Sequence, residues 1–389
     1  MSTPGDPLVT CWSCGHEVPS GNYCVRCGAS LPEAAEEPPA RGRREFAAAP
    51  HESQFLPAVI STLFPQLPRA SMATFRVALA IGVAIVVALG LARMFPVAIV
   101  AAAVLVPLLV VIYLYDVDVY EDEPVRVIAL TMVWGAAAGV IVGVIAEEIS
   151  PSGVSSLLES TERKTLLRGI LLPLLGGALM IAGPLVLLPY RRFNDVLDGA
   201  TFGAAAAVSF VGAQLLVHSI PLFDAGIRPV GLIFPWIVRL LELAVALPLL
   251  SAGAIGAAAG ALWLRYRAPV VDRAALGRLG HPLVALPLAG AFLVAAALVQ
   301  LHLPRVASFA FLIVLAAVAL LWLRRVIHIG LLQEAAEVPI EAEIVCANCG
   351  RSTPRHTFCA RCGISLRALP KSRLAEGPAV PEATSHAGA

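Results

Sequence analysis

The chain has 389 residues, of which 58% are hydrophobic and only 14% are charged, and its mean hydropathy is +0.81. Soluble domains carry about 25% charged residues, so this composition excludes an ordinary soluble protein and predicts a polytopic membrane protein. The formal net charge of +1 says little about partners, because in a membrane protein the distribution of cations among the loops matters more than their sum.

The first element is a four-cysteine module at residues 8–31, and a second copy lies near the other end of the chain at residues 344–367. Both follow the pattern C-x2-C-x9-C-x2-C, with a glycine after each pair. Two residues between cysteines let a tight turn direct two thiolates at one point, and two such turns complete a tetrahedral shell around Zn2+. The spacing predicts two zinc ribbons with one structural Zn2+ each. The predicted ligands are Cys11, Cys14, Cys24 and Cys27, then Cys346, Cys349, Cys359 and Cys362.

The copies share further features, and other interpretations of the module remain open. Both have an aromatic residue before the third cysteine and an arginine inside the second pair; these are Tyr23 and Phe358, then Arg26 and Arg361. The alternative for each module is two disulfides, as in small secreted domains. His16 and His356 have no counterpart in the other copy and are predicted to be surface residues rather than ligands. Nucleic-acid binding is not favoured, because the first copy carries a single basic residue and no basic and aromatic stripe.

Residues 32–72 connect the first ribbon to the membrane domain. The stretch from residue 32 to 50 is rich in proline, alanine and charge, which is typical of a flexible linker. Residues 55–67 then place apolar side chains at helical spacing. This pattern predicts an amphipathic helix that lies on the membrane surface or packs on protein.

The membrane domain is predicted at residues 73–326 and contains eight segments long enough to cross about 30 Å of hydrocarbon. The predicted spans are 74–94, 96–115, 125–146, 167–189, 199–218, 243–264, 282–302 and 305–323. The apolar stretch 229–241 ends in Arg239 and Glu242, so we interpret it as an interfacial or re-entrant lead-in, with a ninth span as the alternative. After the last span we expect a linker at 327–343, the second ribbon, and a disordered tail at 368–389.

An even number of spans places both ribbons on one side of the membrane. The loops on that side carry eleven arginines, and the opposite loops carry six cationic residues. The positive-inside rule therefore predicts that both termini are cytoplasmic. The scarcity of lysine and abundance of alanine indicate a high-GC bacterium, so we expect a multi-pass protein of the bacterial cytoplasmic membrane. Because the ribbons share a side, we expect them to pack on each other or to bind a common protein partner.

Two sequence motifs resemble those of the PrsW-type intramembrane metalloproteases. The first is the loop Asp118-Val119-Tyr120-Glu121-Asp122-Glu123-Pro124 followed by Trp134-Gly135. The second consists of Arg191-Arg192-Phe193, Asp198-Gly199, Phe202-Gly203 and Ser209-Phe210. The resemblance covers residues 111–264 and implies an intramembrane metal site, where carboxylates and an imidazole bind Zn2+ and one glutamate acts as general base.

The chain departs from this family at the residues that carry the chemistry. The family's Glu-Glu-x-x-Lys helix, later glutamate and histidine correspond here to Gly176, Gly177, Met180, Gln214 and Pro248. No carboxylate or lysine lies between residues 169 and 188, so a small shift of register cannot supply the missing ligands. The two glycines also suggest a helix-packing face, since small residues permit close contact in lipid.

Other polar residues near the span ends allow a second interpretation. Glu147, Glu148 and His218 are the candidates for a relocated metal site. The simpler interpretation places them at wet span boundaries, with Asp198 as a helix N-cap and Arg239 paired with Glu242.

These observations lead to a principal function hypothesis and two alternatives. The principal hypothesis is a proteolytically inactive, PrsW-like scaffold or regulator that presents two cytoplasmic zinc ribbons. An active intramembrane zinc metalloprotease with relocated ligands is the first alternative. A transporter is the second, although no repeated pair of broken helices supports it.

Overall fold

The computed structural model describes residues 7–12, 14–31, 73–117, 125–149, 161–220, 223, 226–227, 233–270, 272–337 and 339–366. Three sequence predictions lie outside these residues. They concern the linker and amphipathic segment at 32–72, the family-like loop at 118–124 and the tail at 368–389.

Eight helices in the described part of the chain are long and apolar enough to cross a membrane, which confirms the predicted helical bundle. We number them in chain order. They are α1 (Ala73–Leu91), α2 (Phe95–Val117), α3 (Val125–Ile149), α4 (Thr161–Leu187), α5 (Val196–Ser219), α6 (Ile233–Tyr266), α7 (Pro282–His302) and α8 (Arg305–Glu337). A short 3-10 turn, Gly277–Gly280, precedes α7.

Helix α5 lies at the centre of the bundle, and α1 lies at its edge. In α5, 72% of the span is buried, and it packs against α2, α3, α4, α6 and α8. In α1 only 6% of the span is buried, and most of its valine and isoleucine side chains are exposed. An apolar surface of this extent is stable where lipid covers it. The chain is therefore a multi-pass membrane protein.

Glycines let α3 approach α5 closely. A Cβ atom on Gly135 would lie 2.1 Å from the carbonyl oxygen of Ala206, and one on Gly139 would lie 2.3 Å from that of Phe210. Such contacts are possible only without a side chain, as is common between membrane helices. Trp134 beside this seam donates a hydrogen bond from Nε1 to the Leu179 carbonyl in α4 (2.8 Å). The Trp134-Gly135 pair therefore joins α3 to two neighbours.

Helix α6 corrects the prediction for residues 229–241. Residues 233–241 are not a separate lead-in, because they form the start of one continuous helix of 34 residues, Ile233–Tyr266. A π-helical turn at Glu242–Ala246 lies inside it. The buried Glu242 carboxylate accepts hydrogen bonds from Ser308 Oγ (2.7 Å) and Gln300 Nε2 (3.2 Å), so its polarity does not interrupt the helix.

Two further helix ends differ from the prediction. Helix α5 begins at Val196, with Asp195 as the N-cap; Asp198 is the third helical residue, and its Oδ2 accepts from the Asp195 amide (3.1 Å). Asp198 is thus part of a capping box rather than the N-cap itself. Helix α8 continues to Glu337 through the first part of the predicted linker. This extension is held by Glu334, whose Oε1 accepts from the Val196 amide at the start of α5 (3.1 Å).

Each ribbon begins with a short antiparallel hairpin. Strand β1 (Leu8–Thr10) pairs with β2 (Glu17–Pro19), and β3 (Glu341–Val345) pairs with β4 (Ser352–Arg355). An isolated bridge closes the second half of each ribbon, at Tyr23 with Ser30 and at Phe358 with Ser365. These are the two small β domains predicted at the ends of the helical bundle.

Candidate metal centres and a membrane cavity

The structure brings the four cysteines of the first ribbon together. The Sγ atoms of Cys11 and Cys27 lie 3.6 Å apart, and those of Cys14 and Cys24 lie 3.8 Å apart. All four ligand atoms lie within 4.8 Å of one another. The turns are closed by glycine amides that donate to the first cysteine of each pair: Gly15 to Cys11 and Gly28 to Cys24, both at 2.8 Å.

The second ribbon repeats this arrangement. Cys346 and Cys362 have Sγ atoms 3.9 Å apart, as do Cys349 and Cys359. The glycines that follow the cysteine pairs take positive φ in both ribbons, and the values are 72° for Gly15, 71° for Gly28, 68° for Gly350 and 72° for Gly363. An L side chain is strained in this conformation, so the turn requires glycine.

These distances match a metal site and not a disulfide. A tetrahedral ion with metal–sulfur bonds of about 2.3 Å places its sulfurs about 3.8 Å apart, whereas a disulfide bond is about 2.05 Å long. The pKa of Cys14 is lowered because the thiols of Cys24 and Cys27 hydrogen-bond to it, and Cys346 and Cys349 lower the pKa of Cys359 in the same way. The same hydrogen bonds raise the pKa of Cys27 and Cys362, so they favour the thiolate, which is the form that binds metals, at only some of the cysteines in each group. Both groups of four cysteines could hold a metal ion.

The two histidines near the cysteines differ in their surroundings. His16 is exposed, as predicted. The surface prediction for His356 is wrong, because only 6% of this residue is exposed. Its Nδ1 lies 3.0 Å from the carbonyl oxygen of Val25 in the other ribbon. The cause is that the ribbons pack on each other, an arrangement that the sequence had left open.

A cavity of about 290 Å³ lies within the membrane domain, between α3, α4, α5, α6 and α7. Three of the positions that the family resemblance indicates, Gly176, Met180 and Gln214, line it together. The other two do not. Gly177 faces Leu293 of α7, where an added Cβ would lie 2.9 Å from its Cδ1. Pro248 faces a gap toward α2 on another side of α6.

The cavity wall is mostly apolar, with a few polar side chains. Those among its described lining residues are Arg168, Gln214, His218, Ser251 and Gln300. Arg168, Ser251 and Gln300 belong to none of the sequence motifs described above and were not predicted as site residues. A glutamine inside an otherwise apolar span, as at Gln300, is the signal that could have identified one of them.

Two residues considered for a relocated metal site do meet at this cavity. The Glu147 Oε1 atom lies 2.8 Å from His218 Nδ1 and 3.8 Å from Arg168 Nη2. Glu148 is exposed and does not join them. In the part of the chain that the structure describes, only the two cysteine groups bring three or more potential metal ligands together. Glu147 and His218 therefore form a close polar contact that contributes two potential metal ligands, fewer than the three or more of each cysteine group.

The predicted pair of Arg239 and Glu242 is not formed. The Glu242 carboxylate is directed to Ser308 and Gln300, while the guanidinium of Arg239 lies 5.8 Å from the centre of the Trp236 ring. Ser308 and Gln300 lie on helices distant in sequence, so a local helical-spacing argument could not reveal them.

Comparison with protein-family models, curated proteins and solved structures finds no match to this chain. The interpretation of the cysteine groups and the cavity therefore depends on their own residues and geometry.

Proposed function

We propose that this chain is a PrsW-like scaffold or regulator without peptidase activity in the bacterial cytoplasmic membrane, and that each ribbon binds one structural Zn2+. The observation that best supports the membrane part is that Gly176, Met180 and Gln214 line one cavity. The resemblance implies a charged residue at each of these positions. Glycine, methionine and glutamine leave a cavity there without those charges.

The chemistry of the cavity favours binding over hydrolysis. Peptide hydrolysis by a metal needs about three protein ligands and a general base next to the bound water. Among the cavity-lining residues that the structure describes, none is a carboxylate, and Glu147 adjoins the cavity through its contact with the lining residue His218. Gln214 can donate and accept hydrogen bonds, but it cannot balance the charge of a divalent cation. Such a wall suits an apolar segment with an exposed polar group, such as part of a partner's membrane helix.

The choice of zinc follows from the ligands. Four thiolates at tetrahedral spacing are typical of structural Zn2+ sites, in which no coordination position is open for catalysis. A reducing cytoplasm would keep these cysteines from forming disulfides. We therefore assign the ribbons a structural role.

Metal analysis of the purified full-length protein tests this proposal. We expect about two Zn2+ per chain. Replacing Cys11, Cys14, Cys346 and Cys349 with serine should remove both ions, whereas the control His16→Ala should keep them. A zinc ion that stays bound to the serine variant would contradict the absence of an intramembrane metal site.

Thiol labelling separates zinc from disulfides in the wild-type chain and requires no variant. After denaturation with a chelator but no reductant, all eight cysteines should react with an alkylating agent. Cysteines that react only after reduction would show that the ribbons hold disulfides instead.

One observation favours the alternative of an active protease, namely the contact of 2.8 Å between Glu147 and His218 at the cavity. If these residues bind metal or act as a base, Glu147→Gln and His218→Gln should each abolish cleavage of membrane proteins, while the exposed neighbour Glu148→Gln should not. New protein N-termini in membranes that contain the wild-type chain or each variant give the measurement. We expect the same N-termini with the wild-type chain and with every variant. N-termini that are absent in both Glu147→Gln and His218→Gln would favour the protease.

A further inference from the structure

The two ribbons meet through an interface with approximate two-fold symmetry. The Tyr23 amide donates to the Ala360 carbonyl (3.0 Å), and the Phe358 amide donates to the Val25 carbonyl (2.9 Å). Phe358 corresponds to Tyr23 in the repeated module, and Ala360 corresponds to Val25. Exchanging the two ribbons therefore converts one hydrogen bond into the other. This equivalence is the property of a self-complementary interface.

These two bonds flank the metal-binding groups. Cys24 lies between Tyr23 and Val25, and Cys359 lies between Phe358 and Ala360, so the third cysteine of each ribbon is in the paired segment. The side chains reinforce the pairing. Ala360 belongs to the buried cluster of the first ribbon, together with Cys11, Cys24 and Val25.

The pair is also attached to the membrane domain. Arg26, between the last two cysteines of the first ribbon, donates from Nη1 to the carbonyls of Ala335 (3.2 Å) and Ala336 (2.9 Å). These are among the last carbonyls of α8, where a cation also interacts favourably with the helix dipole. Leu332 of α8 packs against the same cluster of the first ribbon.

We propose that the two cysteine groups form one coupled metal-binding unit, in which an ion in either ribbon raises the affinity of the other ribbon for its ion. Small four-cysteine domains fold around their metal, so loss of the ion disorders the turn that holds the cysteines. That turn contains the amide and carbonyl that the other ribbon uses. An ion in one ribbon therefore stabilises the surface on which the other ribbon folds. This inference rests on metal binding by the ribbons.

Metal affinities measured by competition with a chromophoric zinc chelator test the coupling in the full-length chain. Cys346→Ser with Cys349→Ser removes the second site and should weaken Zn2+ binding at the first site by about tenfold. Cys11→Ser with Cys14→Ser should weaken the second site by the same factor, because coupling between two binding sites is reciprocal.

A third variant separates coupling from damage to a cysteine site. A Cβ on Gly21 would lie 3.0 Å from the Ala360 carbonyl oxygen and 3.1 Å from its Cβ, so Gly21→Val should separate the ribbons and leave every cysteine in place. We expect this variant to bind two ions, each with the weaker affinity of the single-ribbon variants. Glu17→Val, at an exposed position on β2, is the control and should retain the wild-type affinities.

The outcomes distinguish this inference from the proposed function. The coupling is wrong if the remaining site of each single-ribbon variant and both sites of Gly21→Val keep their wild-type Zn2+ affinities. That result would still support two structural zinc sites. A wild-type chain that binds no zinc would overturn both.

Discussion

The arginine between the last two cysteines has different surroundings in the two ribbons. Arg26 is partly buried and donates to two carbonyls at the end of α8, whereas Arg361 is exposed. The sequence motif is the same in both copies, so the difference arises because the end of α8 meets the arginine of the first ribbon. The arginine of the repeated motif therefore attaches the ribbon to α8 in the first copy and is exposed in the second.

Substitution of these arginines provides a matched comparison. Arg26→Ala should weaken the attachment of the first ribbon to α8 by about 1–2 kcal/mol, since it removes two hydrogen bonds from a charged donor at a helix C-terminus. Arg361→Ala should have little effect. Hydrogen exchange at the amides of residues 330–337 gives the measurement, and faster exchange is expected only in Arg26→Ala. Equal exchange in both variants would contradict this role of Arg26.

At the scale of helices, glycine seams bring the backbones of the central bundle into contact. Gly135 and Gly139 bring the α3 backbone against the α5 backbone, and alanine-rich α5 and α6 pack closely beside them. In lipid no hydrophobic force drives helices together, so close packing carries a larger share of the stability.

A bulky residue in the seam should therefore destabilise the bundle. Gly139→Leu should lower the thermal stability of the protein in detergent by the equivalent of about 1–3 kcal/mol, because the side chain has no space beside Phe210. Gly90→Leu in α1 is the control, since nothing lies within 4 Å of an added Cβ there. Size-exclusion chromatography after heating measures the loss of folded protein. If Gly139→Leu retains as much folded protein as the wild type and Gly90→Leu, then α3 can move away from α5 at little energetic cost.

At the scale of the whole molecule, the two ribbons lie together although more than 300 residues separate them in the sequence. The eight membrane helices of the described residues are consistent with this arrangement, because an even number of crossings returns the chain to the side where it started. The contact itself does not depend on which side of the membrane that is. The orientation is set by loop charge during insertion, and the arginine distribution predicts the cytoplasmic side.

Reporter fusions test the orientation. Green fluorescent protein joined after residue 389 should fluoresce, because it folds in the cytoplasm, and alkaline phosphatase at the same place should be inactive. The reverse result would place the ribbons outside the cytoplasm, where disulfide formation would compete with zinc.

Much of the architecture was accessible from the sequence because it depends on local properties. Hydrophobicity over about 20 residues predicted all eight helices, and cysteine spacing predicted both groups of four. The errors occurred where a distant partner decides the outcome. Helix α8 continues because Glu334 meets Val196, and Glu242 remains inside α6 because Ser308 and Gln300 satisfy it.

The sequence by itself therefore determined which segments cross the membrane and which cysteines form each group. Only the tertiary structure decided that Gly176, Met180 and Gln214 share one cavity, that Glu147 meets His218, and that the ribbons pack on each other. The physical reason is that hydrophobic length and turn geometry are properties of one segment, whereas a cavity or an interface is a contact between segments far apart in the chain.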